Sequence, residues 1–220
     1  MKRLSEQWHA SQEAIRDALL RRDLDEVERL IGEALSTCRG TQRAILQTQR
    51  ADLARERGDF HGAARAQLEA ARTVRWHPYW TVRAARAMLD DGEDRAQALV
   101  LLKRAEPRVR AHDMAWHCYH EMLARLALDD GHHKVAAVHL LVSLDIREWG
   151  WITLAHGCLI ERIIEHGGAS AQCRQYLEKA AALLAHPPRT RDPVKADAYR
   201  AAAQRVATSI ARLVLKLDAR

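Results

Sequence analysis

Apolar positions along this chain recur every three to four residues rather than in alternation, which is the period of helices and not of strands. In residues 94–105, Ala98, Leu101, Leu102 and Ala105 fall at i, i+3, i+4 and i+7, one stripe along a helix. Residues 135–146 repeat the theme with Val135, Val138, Leu141, Val142 and Ile146. Near the end, Val206, Ile210, Leu213, Val214 and Leu217 draw another stripe. Between such segments stand short turn signals: Arg22-Asp23, Gly58-Asp59, Asp91-Gly92, Asp130-Gly131 and Gly167-Gly168. Their spacing runs from 34 to 39 residues, the period of stacked helical hairpins.

The pattern predicts first helices over roughly 5–21, 41–57, 78–90, 112–129 and 151–166. Second helices are expected over roughly 24–38, 59–74, 94–106, 132–147 and 169–185, and a last helix over about 193–218. Terminal chemistry agrees. Asp23 followed by Glu26 reads as a capping box. Gly58, Gly92 and Gly131 suit a left-handed helix ending. Pro78 can open a helix, Pro107 falls in a last turn or just after it, Pro187 and Pro188 close one, and Asp192-Pro193 is a cap with proline at the first helical position. A hairpin cannot bury its apolar face alone, so neighbours must stack. The expected fold is all-α: an α-solenoid of about five antiparallel helix pairs over residues 1–186, a Pro-rich linker at 187–193, and a basic amphipathic capping helix at 194–220.

Small residues recur at fixed offsets from the turns. From Gly58 these are Ala51, Ala54, Ala63 and Ala70; from Gly131 they are Ala124, Ala127, Ala136 and Ser143. Ala34 and Ala180 fill the same offset in the first and last pairs. Around Gly92 the match slips by one, to Ala98 and Ala105, as a turn one residue longer requires. Small side chains let two helix backbones approach closely. On these residues the chain resembles the tetratricopeptide-repeat family over about residues 5–185, in a degenerate form that lacks most of the family's mid-helix aromatics and closing prolines. Another helical-pair solenoid and a non-repeating bundle are the alternatives.

That resemblance implies a groove lined by the first helices that takes an extended peptide or a partner helix. The position six residues before each turn holds Arg16, Asp52, Arg86, Arg125 and Glu161 or Arg162. Neighbouring groove positions add Gln12, Glu13, Thr48, Arg55, Arg83 and Glu121. A guanidinium offers paired, charge-assisted hydrogen bonds to carboxylates, so an arginine row suits an acidic peptide or a chain terminus. The competing reading is a solvated face of intrahelical pairs such as Glu121–Arg125.

Composition narrows the classes. The 220 residues are 48% apolar with 10 Gly, 5 Pro and a single Phe, which favours helices over sheets. No run approaches a membrane span, and the first residues show no apolar signal region, so no membrane association is expected. Cys38, Cys118, Cys158 and Cys173 form no CxxC pair and read as reduced, mostly packed thiols in a cytoplasmic protein. The net charge of +6 is concentrated: residues 189–220 carry eight basic against three acidic residues, leaving +1 for the rest. Arg205, Arg212, Lys216 and Arg220 flank the last apolar stripe. That helix is expected to cap the stack, with a homodimer contact or a basic strip for phosphates or an acidic partner as alternatives.

Trp116 to Glu121 is the densest histidine region, with His117, His120 and Glu121 on one helix, but no HExxH is present and no metal is expected. Trp8, Trp80, Trp116 and Trp151 near the starts of first helices, with Trp76 and Trp149 ending second helices, read as packing between repeats, with base stacking the weaker alternative. No phosphate-binding loop, dinucleotide glycine pattern or GxSxG is present, and neither an enzyme nor a cofactor is expected. The expected function is a non-enzymatic adaptor, scaffold or chaperone-like module binding another protein. A helical-repeat protein for RNA or DNA is the alternative.

Overall fold

The computed structural model describes residues 2–92, 94–144, 154–166, 170–185 and 193–219. Trp149, Trp151, Ile146, the Gly167-Gly168 turn, Pro187-Pro188, the Asp192 cap, almost all of the 187–193 linker and Arg220 lie outside them. Among the described residues the chain is all-α, with eleven helices packed in sequence order and no strands. They are α1 (Lys2–Leu20), α2 (Leu24–Thr37), α3 (Gly40–Glu56), α4 (Phe60–Thr73), α5 (Pro78–Asp91), α6 (Arg95–Val109), α7 (Asp113–Asp129), α8 (His133–Ser143), α9 (Leu154–Glu165), α10 (Ser170–Leu184) and α11 (Pro193–Asp218).

The repeat is visible as one turn made three times. Asp23, Asp59 and His132 each donate their backbone N–H to the carbonyl five residues back, on Ala18, Ala54 and Ala127. The residue before each is left-handed: Arg22 at φ 57°, Gly58 and Gly131 at φ 76°. This is a Schellman ending, which satisfies the last carbonyls of one helix while reversing the chain. Asp23 and Asp59 then accept from the backbone N–H of Glu26 and Gly62, opening the next helix. The expected capping box is only half made, because the Glu26 carboxylate turns to Arg29. At Gly92 the capping residue is Asp94, one position later than in the other turns, which is the longer turn that the slipped alanines imply.

The chain divides into two units, Met1–Arg108 and Val109–Arg220. In the first, α1 packs on α2, α2 on α3, α3 on α4 and α4 on α5. Ile15, Val27, Ile31, Leu35, Leu46 and Leu53 fill one cluster, and Ala44, Ala70, Val74, Trp80 and Ala84 another. Ala51 meets Ala63 and Ala66 in a cluster of alanines, where α3 and α4 press together. In the second unit, α7 packs on α8, α8 on α10, and α11 on both α9 and α10. Leu140, Leu144, Ile160, Ile163 and Leu177 share its core with Val206, Leu213 and Leu217 of α11. The stripe read along the last helix is therefore its buried face, and the helix covers the apolar side of the pairs before it.

Two expectations are corrected. The stripe drawn along α8 is not the buried one: Val135 and Val138 are 50% and 46% exposed, while Ala136, Ala137, Leu140 and Ser143 are buried. Trp76 is 63% exposed and does not pack between repeats, whereas Trp80 is buried and Trp116 donates its indole N–H to the Val142 carbonyl at 3.1 Å. Pro107 sits in the last turn of α6.

Candidate functional site

In the first unit, the first helices are joined along one face. The amide of Gln49 on α3 donates to that of Gln12 on α1 at 2.9 Å. Arg83 on α5 reaches Asp52 on α3 at 2.8 Å, and Arg55 on α3 reaches Asp90 on α5 at 3.0 Å. So α1, α3 and α5 stand side by side, and the groove positions Gln12, Asp52, Arg55 and Arg83 meet there. Arg55 also lies 3.6 Å from Asp52, and Arg83 donates to the Tyr79 hydroxyl at 3.0 Å with its guanidinium 5.8 Å from that ring. These arginines are thus largely committed to holding the helices together. Arg16 is exposed and makes no ion pair among the described residues; with His9, Gln12, Glu13 and Gln49 it lines a cavity of about 450 Å³. Arg86 is half-buried on α5. Two buried donors on this wall, the Thr48 hydroxyl and the Arg55 Nε, have no hydrogen-bond partner among the described residues. Unmet donors of this kind are costly without a ligand or water.

The remaining groove residues belong to the second unit. Glu121 is buried and Arg125 half-buried on α7, and Arg162 of α9 pairs with Asp129 of α7 at 3.1 Å. On α11, Arg212 approaches Glu161 at 3.3 Å, and Lys216 bridges Glu161 at 2.9 Å and Glu165 at 2.8 Å. The hydrogen bond from Lys216 holds the Glu161 carboxyl below its ordinary range, and the two glutamates hold the Lys216 ammonium above its own. Asp218 is taken by Arg174 at 2.6 Å. Arg205 is exposed and makes no ion pair among the described residues.

The histidine region is a packed cluster. His117 is buried with Nδ1 3.2 Å from the Ser143 carbonyl. His120 and His139 face each other through their Nδ1 atoms at 3.0 Å, so one donates and the other accepts. The Trp116 ring meets His120 edge-on, 4.2 Å between centroids, and the Arg110 guanidinium lies 4.5 Å from the Trp116 ring. Burial, then His139 and Arg110, pull the His120 imidazole down to about 4, and burial lowers His139 too. Among the described residues no three His, Cys, Asp or Glu side chains converge as metal ligands would. The cysteines are free; Cys173 is buried, which pushes its thiol up to about 11, while Cys158 is exposed.

A larger cavity, about 610 Å³, opens between α2, α3 and α4, and its four arginines are ones that the repeat register passes over. Arg50 and Arg57 line it from α3 and its cap, Arg65 and Arg72 from α4. The sequence signal is a seven-residue spacing within each pair, two helical turns, which puts both members on one side. Among the described residues no helix is long and apolar enough to cross a membrane. No protein-family model, curated protein or solved structure matches the chain.

Proposed function

We propose that the chain is a non-enzymatic interaction module of tetratricopeptide-like kind, holding an acidic peptide segment or helix of another protein along the face of its first helices. The observation that carries this reading is the wall formed by α1, α3 and α5. There the Thr48 hydroxyl and the Arg55 Nε are buried without a partner among the described residues, beside the exposed Arg16 and the half-buried Arg86. A carboxylate-bearing chain laid along this wall meets guanidinium forks. The pairs Arg83–Asp52 and Arg55–Asp90 hold the helices in register and limit how much cationic charge faces the ligand.

Fluorescence anisotropy with a labelled Glu/Asp-rich peptide tests it, against a peptide with those residues changed to Gln and Asn. Arg16→Ala and Arg86→Ala are each expected to weaken the acidic peptide by about tenfold, one charge-assisted hydrogen bond's worth. Equal affinity of both peptides, or unchanged affinity in the Arg16 and Arg86 variants with helical circular dichroism intact, rejects the reading.

A further inference from the structure

The cavity between α2, α3 and α4 lies away from the peptide wall. Arg50 is two residues from Asp52 and Arg57 two from Arg55, about 200° around the helix in each case, so these arginines point to the opposite side of α3. Every carboxylate in the cavity wall is already engaged. Glu28 is taken by Arg57, which also holds Asp25 at 2.6 Å. Glu69 is taken by Arg72 at 2.6 Å. Asp59 caps α4 through the Gly62 N–H at 2.7 Å. Arg50 and Arg65 are exposed and make no ion pair and no side-chain hydrogen bond among the described residues, so two guanidiniums stand open to a ligand at this opening. Gln47 also lines the cavity; it is 6% exposed, and its amide makes no hydrogen bond among the described residues either. That amide is not sealed from water, and it offers a neutral donor beside the two guanidiniums.

We propose that this cavity binds a small phosphate monoester, with Arg50 and Arg65 as charged donors and the Gln47 amide as the neutral one. Two guanidiniums without a carboxylate partner offer paired donors from two helices, and such forks fit phosphate oxygens in pairs. The volume exceeds that of a phosphate group, and Leu53, Ala54, Ala66 and Leu68 supply apolar wall, so the ester carries an organic body.

Calorimetric titration of the full chain with phenyl phosphate, inorganic phosphate and benzoate tests the assignment. Phenyl phosphate is expected to bind most tightly, inorganic phosphate less so and benzoate least. The Arg50→Ala/Arg65→Ala double variant should lose at least about tenfold in phenyl phosphate affinity, and the corresponding Lys pair, which keeps point charges without the forks, an intermediate amount. Gln47→Leu removes the neutral donor and should weaken phenyl phosphate. Arg16→Ala, on the peptide wall, should leave this titration unchanged and so separates the two sites. The proposal fails if phenyl phosphate shows no saturable binding at millimolar concentration. It fails equally if the double variant binds as the native chain does, or if Arg16→Ala weakens the ligand as much as the double variant.

Discussion

Arg22 occupies a backbone position that two other turns give to glycine. Its φ of 57° puts a side chain in the left-handed region, where the hydrogen bonds of the turn hold it: Arg22 N–H to the Leu19 carbonyl and Asp23 N–H to that of Ala18, both at 3.0 Å. Left-handed backbone costs a residue with a Cβ about 1–2 kcal/mol, and glycine returns part of that in the entropy it loses on folding. Arg22→Gly should therefore stabilise the chain by about 0.5–1 kcal/mol, and Gly58→Ala at the equivalent site should destabilise it by a similar amount. Urea denaturation followed by circular dichroism measures both; a lower midpoint for Arg22→Gly contradicts the equivalence of the turns. The position of this turn was legible in the sequence because Asp23 and Asp59 lie one repeat apart, but its strain was not, since nothing in an Arg-Asp pair announces a positive φ. Arg50 and Arg65 escaped for a related reason. A register counted from turns and small residues finds where helices touch, and is blind to which surface charges the fold leaves without partners.

At the scale of the element, legibility follows amphipathicity. In α11 the apolar residues occupy one stripe and charged residues the rest, so only one face can be buried, and Val206, Leu213 and Leu217 are the ones that enter the core. In α8 nearly every position from Val135 to Val142 is apolar or alanine, and two stripes satisfy the helical period. The larger valines are the obvious choice by transfer free energy, yet Ala136 and Ala137 lie inside, because the close packing of α7 and α8 admits only small side chains on that seam. The small-residue register identified Ala136 and Ser143 correctly where the count of hydrophobic positions did not. For α11, the same reasoning separates packing from charge. Leu213 is 1% exposed, and Leu213→Ala should cost about 2–5 kcal/mol through lost burial and the cavity left behind. Lys216→Ala breaks its pairs with Glu161 and Glu165 at the solvent-facing edge and should move the unfolding midpoint far less. Thermal melts of the two variants decide the matter. A larger loss for Lys216→Ala than for Leu213→Ala contradicts a helix held by its apolar face.

Across the whole molecule, the choice of partner depends on where the +6 of net charge resides. By composition, the last residues form a basic tail suited to nucleic acid. In the fold, Arg212 and Lys216 are bound to the carboxylates of α9, and Asp218 holds Arg174 of α10, so charges that look free in the sequence act within the second unit. Arg83, Arg55 and Arg162 are likewise engaged by Asp52, Asp90 and Asp129. A single-stranded nucleic-acid interface neutralising six to ten phosphates would give a logarithmic salt slope of about −4 to −7. With these arginines committed, the chain should bind a labelled single-stranded oligonucleotide weakly, with a slope shallower than about −3, about what the unpaired guanidiniums of Arg16, Arg50, Arg65 and Arg205 contribute. Anisotropy titrations between about 50 and 200 mM potassium chloride measure that slope. A steep dependence means that the ion pairs open to release their arginines to phosphates, and the nucleic-acid reading then displaces the peptide wall. A shallow slope together with discrimination between acidic and amide peptides leaves the charge where the fold has put it, with Arg55, Arg57, Arg83, Arg162, Arg174 and Arg212 bracing helix against helix.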